Sequence, residues 1–239
     1  MLVSPIVHVA PDAPAVAAAF AEFFAETLGD KAGFHVALSG GSTPMLLFRH
    51  WAEYYADRLD WSRIHLYWGD ERCVPPDDPE SNYGMTRELL LQQVAVPKGQ
   101  VHRMRGEADP LAEAQRYGEL LQRELPRQGE IPVFDLIILG MGDDGHTASI
   151  FPDQQELLRA PGPCAVAVHP ESGQQRITLT GPVINQAARV AFLVTGENKK
   201  EKVNQVLRGG PDEQAWPAAA IRPVDGELHW FLDQAAYGH

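Results

Sequence analysis

A histidine and two carboxylates crowd into one short stretch of this sequence, Gly140-Met141-Gly142-Asp143-Asp144-Gly145-His146. Histidine changes charge near neutral pH, so it readily serves as an acid or a base. Two further clusters carry charge: Gly69-Asp70-Glu71-Arg72 and Thr195-Gly196-Glu197-Asn198-Lys199-Lys200. A fourth, Ser39-Gly40-Gly41-Ser42-Thr43-Pro44, is uncharged. It is nevertheless a glycine-rich turn ahead of a helical stretch, where backbone N–H groups and the helix dipole attract an anion. Paired glycines followed by two hydroxyls favour a phosphate there, although the pattern is neither a Walker loop nor a dinucleotide fingerprint. Lys199 lies near a helix start, where a cation is unfavourable without an anionic partner. That marks it as a ligand candidate, with Glu197 or Glu201 as alternative partners.

Each cluster has a plainer explanation. Asp and Gly are ordinary turn residues, and Thr147, Ser42 or Thr43 can be simple helix caps. Asp70 to Arg72 can be a solvated ion pair in a surface loop. Placement argues for more. Residues 34–38, 64–68, 134–139 and 190–194 are apolar runs with the length of buried parallel strands, and each leads into one of the clusters. In open α/β sheets ligands bind beyond the carboxyl ends of the strands, so the clusters should share one edge.

The remaining elements fill in around these. Residues 6–9 predict a first strand, and 15–28 a helix capped by Asp12 with Pro14 in its first turn. Helices are expected at 45–55, with Pro44 opening it, and at 82–93 and 110–125. Others are expected from Thr147 onward, at Pro182, and through Leu207. Short strands are expected at 101–104, 165–168, 176–180 and 228–232. His35, inside a strand, is taken as structural. The alternation of strands and helices predicts one doubly wound α/β domain over residues 1–239 with a mostly parallel sheet.

Composition narrows the function. The chain has 239 residues and a net charge of −12, so it offers no broad basic field to a nucleic acid. A few local cations can still hold one small anion. Cys73 and Cys164 are the two cysteines, without metal-ligand spacing, and are expected to be free thiols in a reducing compartment. No secretory signal and no membrane-spanning apolar run is visible, which predicts a cytoplasmic protein. The absence of an amphipathic extension predicts a monomer.

The ordered set SGGSTP (39–44), WGDER (68–72), GMGDDGH (140–146) and VTGENK (194–199) resembles the 6-phosphogluconolactonase family. So do ESNYGM (80–85) and RITLTGPVIN (176–185), so the resemblance covers most of the chain. It implies a Rossmann-like three-layer α/β/α fold, shared with glucosamine-6-phosphate isomerases. It also implies hydrolysis of 6-phospho-D-glucono-1,5-lactone to 6-phosphogluconate, a pentose phosphate pathway step, with no organic cofactor; the sequence itself gives no reason to expect a metal. The partner is then a small sugar-phosphate lactone.

Lactone hydrolysis needs an attacking water, a base and stabilisation of a tetrahedral oxyanion. On that basis His146 is the expected base, with Asp144 or Asp70 orienting it. Arg72 is expected to polarise the carbonyl or meet substrate hydroxyls. The phosphate is expected on Gly40, Gly41, Ser42 and Thr43, with Lys199 and Arg176 supplying charge. No GxSxG elbow suggests a serine nucleophile. The related isomerases carry a glutamate five residues after the histidine, where this chain has Phe151, and Asp-Glu-Tyr where it has Asp70-Glu71-Arg72. A non-catalytic sugar-phosphate sensor is a further alternative. It has no need for Asp70, Asp144 and His146 together, and the chain has no basic segment for DNA.

Overall fold

The computed structural model describes residues 4–209 and 216–238. The chain opens with β1 (Ile6–Ala10) and α1 (Ala13–Leu28), whose N-cap Asp12 accepts a hydrogen bond from the Ala15 amide. β2 (Phe34–Leu38) leads into α2 (Ser42–Tyr54), and β3 (Ile64–Trp68) follows. Next come the short β4 (Asp70–Arg72), α3 (Asn82–Thr86) and α4 (Pro110–Glu124). A small hairpin of β5 (Arg127–Gln128) and β6 (Ile131–Pro132) precedes β7 (Leu136–Leu139). β8 (Cys164–Val168), β9 (Gln175–Leu179), α5 (Gly181–Gln186), β10 (Arg189–Val194) and α6 (Lys200–Arg208) follow. The chain closes with β11 (Glu227–Asp233) and α7 (Gln234–Tyr237).

Six strands form one sheet in the order β1-β11-β10-β7-β2-β3, with every neighbouring pair parallel. Side chains alternate across it, so each face must be covered. Val36, Leu66, Ile138 and Phe231 point into a core with Phe20, Phe24, Phe48 and Trp51 of α1 and α2. Ile137, Phe192 and Trp230 point into a second core with Tyr117 and Leu121 of α4, Val183 of α5 and Val203 of α6. The result is the expected α/β/α layering. From β2 the chain steps outward to β3, whereas from β7 it steps the other way to β10 and β11. The sheet therefore changes direction between β2 and β7, where a crevice opens at the strands' carboxyl ends.

Several local expectations are corrected. The 165–168 and 176–180 strands are not in the main sheet; they form a separate antiparallel sheet, β4-β9-β8. Asp70 to Arg72 is accordingly a strand, not a loop. Residues 101–104 contribute one bridge, Val101 to Leu66, because the chain only touches the sheet edge. The helix from Asn82 changes winding: α3 passes into a π-helical segment, Arg87–Leu91. α2 begins at Ser42, with Gly41 as N-cap at φ 106° and no side-chain cap, so Ser42 and Thr43 lie inside its first turn and Pro44 does not open it. No helix starts at Thr147. Thr147 instead bridges Ile150, Ala148 takes φ 48°, and the next helical turn is the 3-10 segment Gln155–Leu158. Among the described residues no helix is long and apolar enough to cross a membrane.

β7 leads into the turn that holds Asp144 and His146, and it is buried along its whole length. Ile138, fully buried in the α1–α2 core, tests how far the site depends on that anchoring. Ile138→Ala is expected to lower unfolding stability by about 2–5 kcal/mol in urea titration with an unchanged m-value.

Candidate active site

The crevice at the switch point is a cleft of about 220 Å³. Its walls are the turns that follow β2, β7 and β10, together with β4 and β9 of the small sheet. The structure brings the sequence-derived candidates Gly40, Gly41, Ser42, Thr43, Asp70, Arg72, His146, Arg176 and Lys199 to this one lining. Asp144 reaches it through His146.

The turn after β7 is built by backbone contacts. The Gly142 amide donates to the His146 carbonyl, and the Gly145 amide donates to the Gly142 carbonyl. Gly145 sits at φ 80°, where a side chain is disfavoured, and its carbonyl accepts from the Ala218 amide. A Cβ on Gly142 would lie 2.2 Å from the His146 ring, so only glycine allows the imidazole to fold back there. The outcome is a 2.6 Å hydrogen bond between His146 Nδ1 and Asp144 Oδ1, with the His146 amide donating to the same oxygen. Burial pushes the Asp144 carboxyl up, but its hydrogen bond to His146 and the nearby imidazole charge outweigh this and lower it to about 2. Asp144 is therefore an anion at neutral pH. A ring that donates from Nδ1 to it keeps its lone pair on Nε2.

Asp70 does something different. Its Oδ2 accepts from the Ser149 hydroxyl at 2.7 Å, and its Oδ1 from the Asn82 side-chain amide at 3.3 Å. Of the two aspartates left open by the sequence, Asp144 is the one that accepts a hydrogen bond from His146. Asn82 is wedged against the loop after β2: a Cβ on Gly40 would lie 1.8 Å from its Oδ1. Glu71 holds it there. That carboxylate is buried and accepts from the amides of Arg72, Asn82 and Tyr83 and from the Ser81 hydroxyl. Its burial pushes its pKa up, against the pull of those amides.

Arg72 and Arg176 are direct partners in the β4–β9 register, so their guanidinium groups enter the cleft from one wall. The Nε of each is buried without a hydrogen-bond partner. Burial, then the charge of Arg72, lowers the Arg176 pKa. On the opposite side, Thr43 Oγ1 lies 2.8 Å from Thr195 Oγ1, which ties the start of α2 to the end of β10. The Gly196 amide is held by both oxygens of Asp233 at 3.0 Å. Lys199 pairs with Asp143 at 2.5 Å, not with Glu197 or Glu201.

Cys73 is half-buried, and burial followed by the charge of Glu71 pushes its thiol up to about 11, which suits no nucleophile at neutral pH. Among the described residues no group of three His, Cys, Asp or Glu side chains is placed to hold a metal ion. Sequence reasoning missed Asn82, Ser149 and Thr195 as site residues. Asn82 and Thr195 lay within motifs already singled out. Ser149 was hidden by the expected helix, which would have carried it elsewhere.

The sequence profile of the glucosamine-6-phosphate isomerases/6-phosphogluconolactonase family matches residues 11–230. The 6-phosphogluconolactonase of Haemophilus influenzae is 45% identical over 203 residues, spanning 84% of this chain and 85% of that protein. The crystal structure of a devB protein superposes with a TM-score of 0.92 at 42% identity over 97% of both chains. That of the 6-phosphogluconolactonase from Trypanosoma brucei superposes with a TM-score of 0.88 at 31% identity over 98% of both. On its sequence and its fold alike, the chain belongs to the glucosamine-6-phosphate isomerase/6-phosphogluconolactonase family.

Proposed function

We propose that the chain hydrolyses 6-phospho-D-glucono-1,5-lactone to 6-phosphogluconate in the pentose phosphate pathway, with His146 as the base that activates water. The observation that carries the mechanism is the Asp144–His146 pair, set in a cleft that also holds two arginines with unsatisfied Nε groups. The similarity to lactonases over most of the chain supports the substrate.

In this mechanism the Nε2 lone pair takes a proton from water as the water oxygen attacks the lactone carbonyl carbon. Ionised Asp144 offsets the charge that develops on the ring. The carbonyl oxygen becomes an oxyanion facing Arg72, a donor preorganised by the β4–β9 ladder. As the ring C–O bond breaks, the imidazolium returns its proton to the departing alkoxide, and the acid formed ionises to a carboxylate. The phosphate rests at the α2 N-terminus on the turn formed by Gly40, Gly41, Ser42 and Thr43, with Lys199 and Arg176 as counter-charges. Asp70, held by Ser149 and Asn82, is an acceptor for a sugar hydroxyl. Phe151 occupies the place of the isomerases' acid/base glutamate. It is buried against the His146 ring at 4.8 Å and can carry no proton, which favours hydrolysis over isomerisation.

The assay follows acid release from freshly made lactone above the spontaneous rate, with glucosamine-6-phosphate in parallel. Lactone turnover without amino-sugar turnover is expected; the reverse sinks the proposal. His146→Ala should lower kcat by roughly 10²–10⁴-fold with little change in KM. Near-parent turnover in that variant removes the base assignment.

Gly142→Ala separates the turn from the base itself. Its Cβ must displace the His146 ring, so kcat should fall while inorganic phosphate still inhibits as in the parent. Loss of phosphate inhibition would mean the whole crevice had collapsed.

Asp144 has a depressed folded-state pKa, so its stabilising contribution is present above its ordinary value of 3.8 and is lost as the pH falls toward about 2. The urea midpoint of the parent should exceed that of Asp144→Asn near neutrality, and the gap should close across that acid window. A gap that persists at the acid end contradicts the linkage.

A further inference from the structure

The ion pair between Asp143 and Lys199 joins two parts of the site. Lys199 lies in the cleft wall with Ser42, Thr43 and Thr195, and its side chain is only 17% exposed, whereas that of Asp143 is 74% exposed. The Lys199 ammonium and the Asn198 side-chain amide donate to the same Asp143 oxygen, at 2.5 and 2.9 Å. Asp143 belongs to the tight turn that carries Asp144 and His146, closed by the Gly142-to-His146 backbone bond. It is therefore held close to Lys199 and cannot move far from it. The hydrogen bond from Lys199 keeps its carboxyl below the usual range, so it is an anion at neutral pH.

We propose that Asp143 is a resident competitor for the substrate's phosphate, a specificity-determining residue that weakens anion binding at Lys199 and favours the lactone over its more highly charged product. The inference rests on Lys199 receiving the phosphate, as above. A phosphate dianion that reaches Lys199 either shares the ammonium with Asp143 or displaces it. Displacement alone costs little, because ion pairs with an exposed partner are weak. Repulsion is the larger effect. The carboxylate stays within a few ångströms of a doubly charged group, and the turn gives it nowhere distant to go.

The chemistry makes this repulsion selective. Hydrolysis turns an uncharged ester into a carboxylate, so the product carries one negative charge more than the substrate. A fixed anion at the rim opposes the product more strongly and speeds its departure. The chain as a whole has a net charge of −12, so three cleft cations, Arg72, Arg176 and Lys199, work against an unfavourable background. Asp143 sets how much of the third is available.

The test measures competitive inhibition of lactone hydrolysis by inorganic phosphate and by 6-phosphogluconate, at pH 7 and constant ionic strength. The variants are Asp143→Asn, Asp143→Glu and Lys199→Ala. Asparagine retains the acceptor for Asn198 and removes only the charge. Asp143→Asn should lower the phosphate inhibition constant roughly tenfold, equivalent to about 1.4 kcal/mol, and should lower that of 6-phosphogluconate by a larger factor than it lowers KM. Asp143→Glu, which restores the charge, should bring them back to within about twofold of the parent, a small difference for a retained ion pair. Unchanged or weaker inhibition in Asp143→Asn, or a KM that falls as far as the 6-phosphogluconate constant, overturns the role given to Asp143. If Lys199→Ala weakens phosphate inhibition in the same series, the phosphate assignment survives that loss. If Lys199→Ala leaves inhibition unchanged, the assignment and the inference fall together.

Discussion

The site depends on how tightly the chain folds back on itself between Gly140 and His146. β7 delivers the backbone to the sheet edge, and within seven residues it must place an imidazole over its own turn. That is feasible because Gly142 has no side chain in the path of the ring and Gly145 tolerates φ 80°. The hydroxyl of Thr147 then donates to the Gly140 carbonyl and closes the turn from the far side. Beyond it, Ala148 in the left-handed region turns the chain so that Ser149 reaches Asp70. A non-glycine residue there is strained, and such strain is retained where the surrounding structure over-determines the backbone. One compact turn thus orients both carboxylates of the site: Asp144 by direct contact with His146, and Asp70 through Ser149.

The small antiparallel sheet adds the second constraint. It places Arg72 opposite Arg176, two like charges on neighbouring strands, an arrangement that weakens a ladder when nothing compensates it. Here the buried Asp70 offsets part of the charge felt by Arg176, and the Phe151 ring lies 5.6 Å from its guanidinium. Glu71 points the other way along the same strand and accepts from the Asn82 and Tyr83 amides and the Ser81 hydroxyl. The alternation of a β-strand is what divides these tasks: Asp70 and Arg72 face the cleft while Glu71 faces the loop that supports them.

Much of this was legible in the sequence, for identifiable reasons. Apart from the exposed edge strand β1, the strands of the central sheet are short, largely buried apolar runs, and such runs announce themselves by composition. Residues 34–38 and 64–68 match β2 and β3 residue for residue. The clusters after them were expected at one edge because parallel strands share a polarity, and the cleft lining gathers them there. What stayed hidden depended on partners distant in sequence. β4 is three residues long and charged at each position, so no periodicity marks it, and it is a strand because β9 lies beside it more than a hundred residues later. Thr147 looked like a helix cap because local hydroxyls favour caps; its bridge to Ile150 and the burial of Ser149 against Asp70 override that preference. The choice between Asp70 and Asp144, and that between Glu197, Glu201 and Asp143 for Lys199, were questions of distance that spacing alone leaves open.

In the proposed mechanism, Phe151 bears on both the reaction favoured and the reaction disfavoured. It is fully buried, with its ring 4.8 Å from His146, 5.3 Å from His169 and within cation–π range of Arg176. An ionised glutamate in its place would lie buried among these groups and alter the electrostatics of both His146 and Arg176. Phenylalanine instead gives the imidazole an apolar wall that excludes water from one side and leaves its charge to be balanced by Asp144. It also offers Arg176 a ring face, not a carboxylate, so the guanidinium is not neutralised by an ion pair there and its buried Nε is left without an acceptor. An isomerase needs a second proton-transfer group beside the histidine. A lactonase needs one base and cations that are not already paired. Arg176 beside Phe151 is such a cation, and the proposed reaction draws on it.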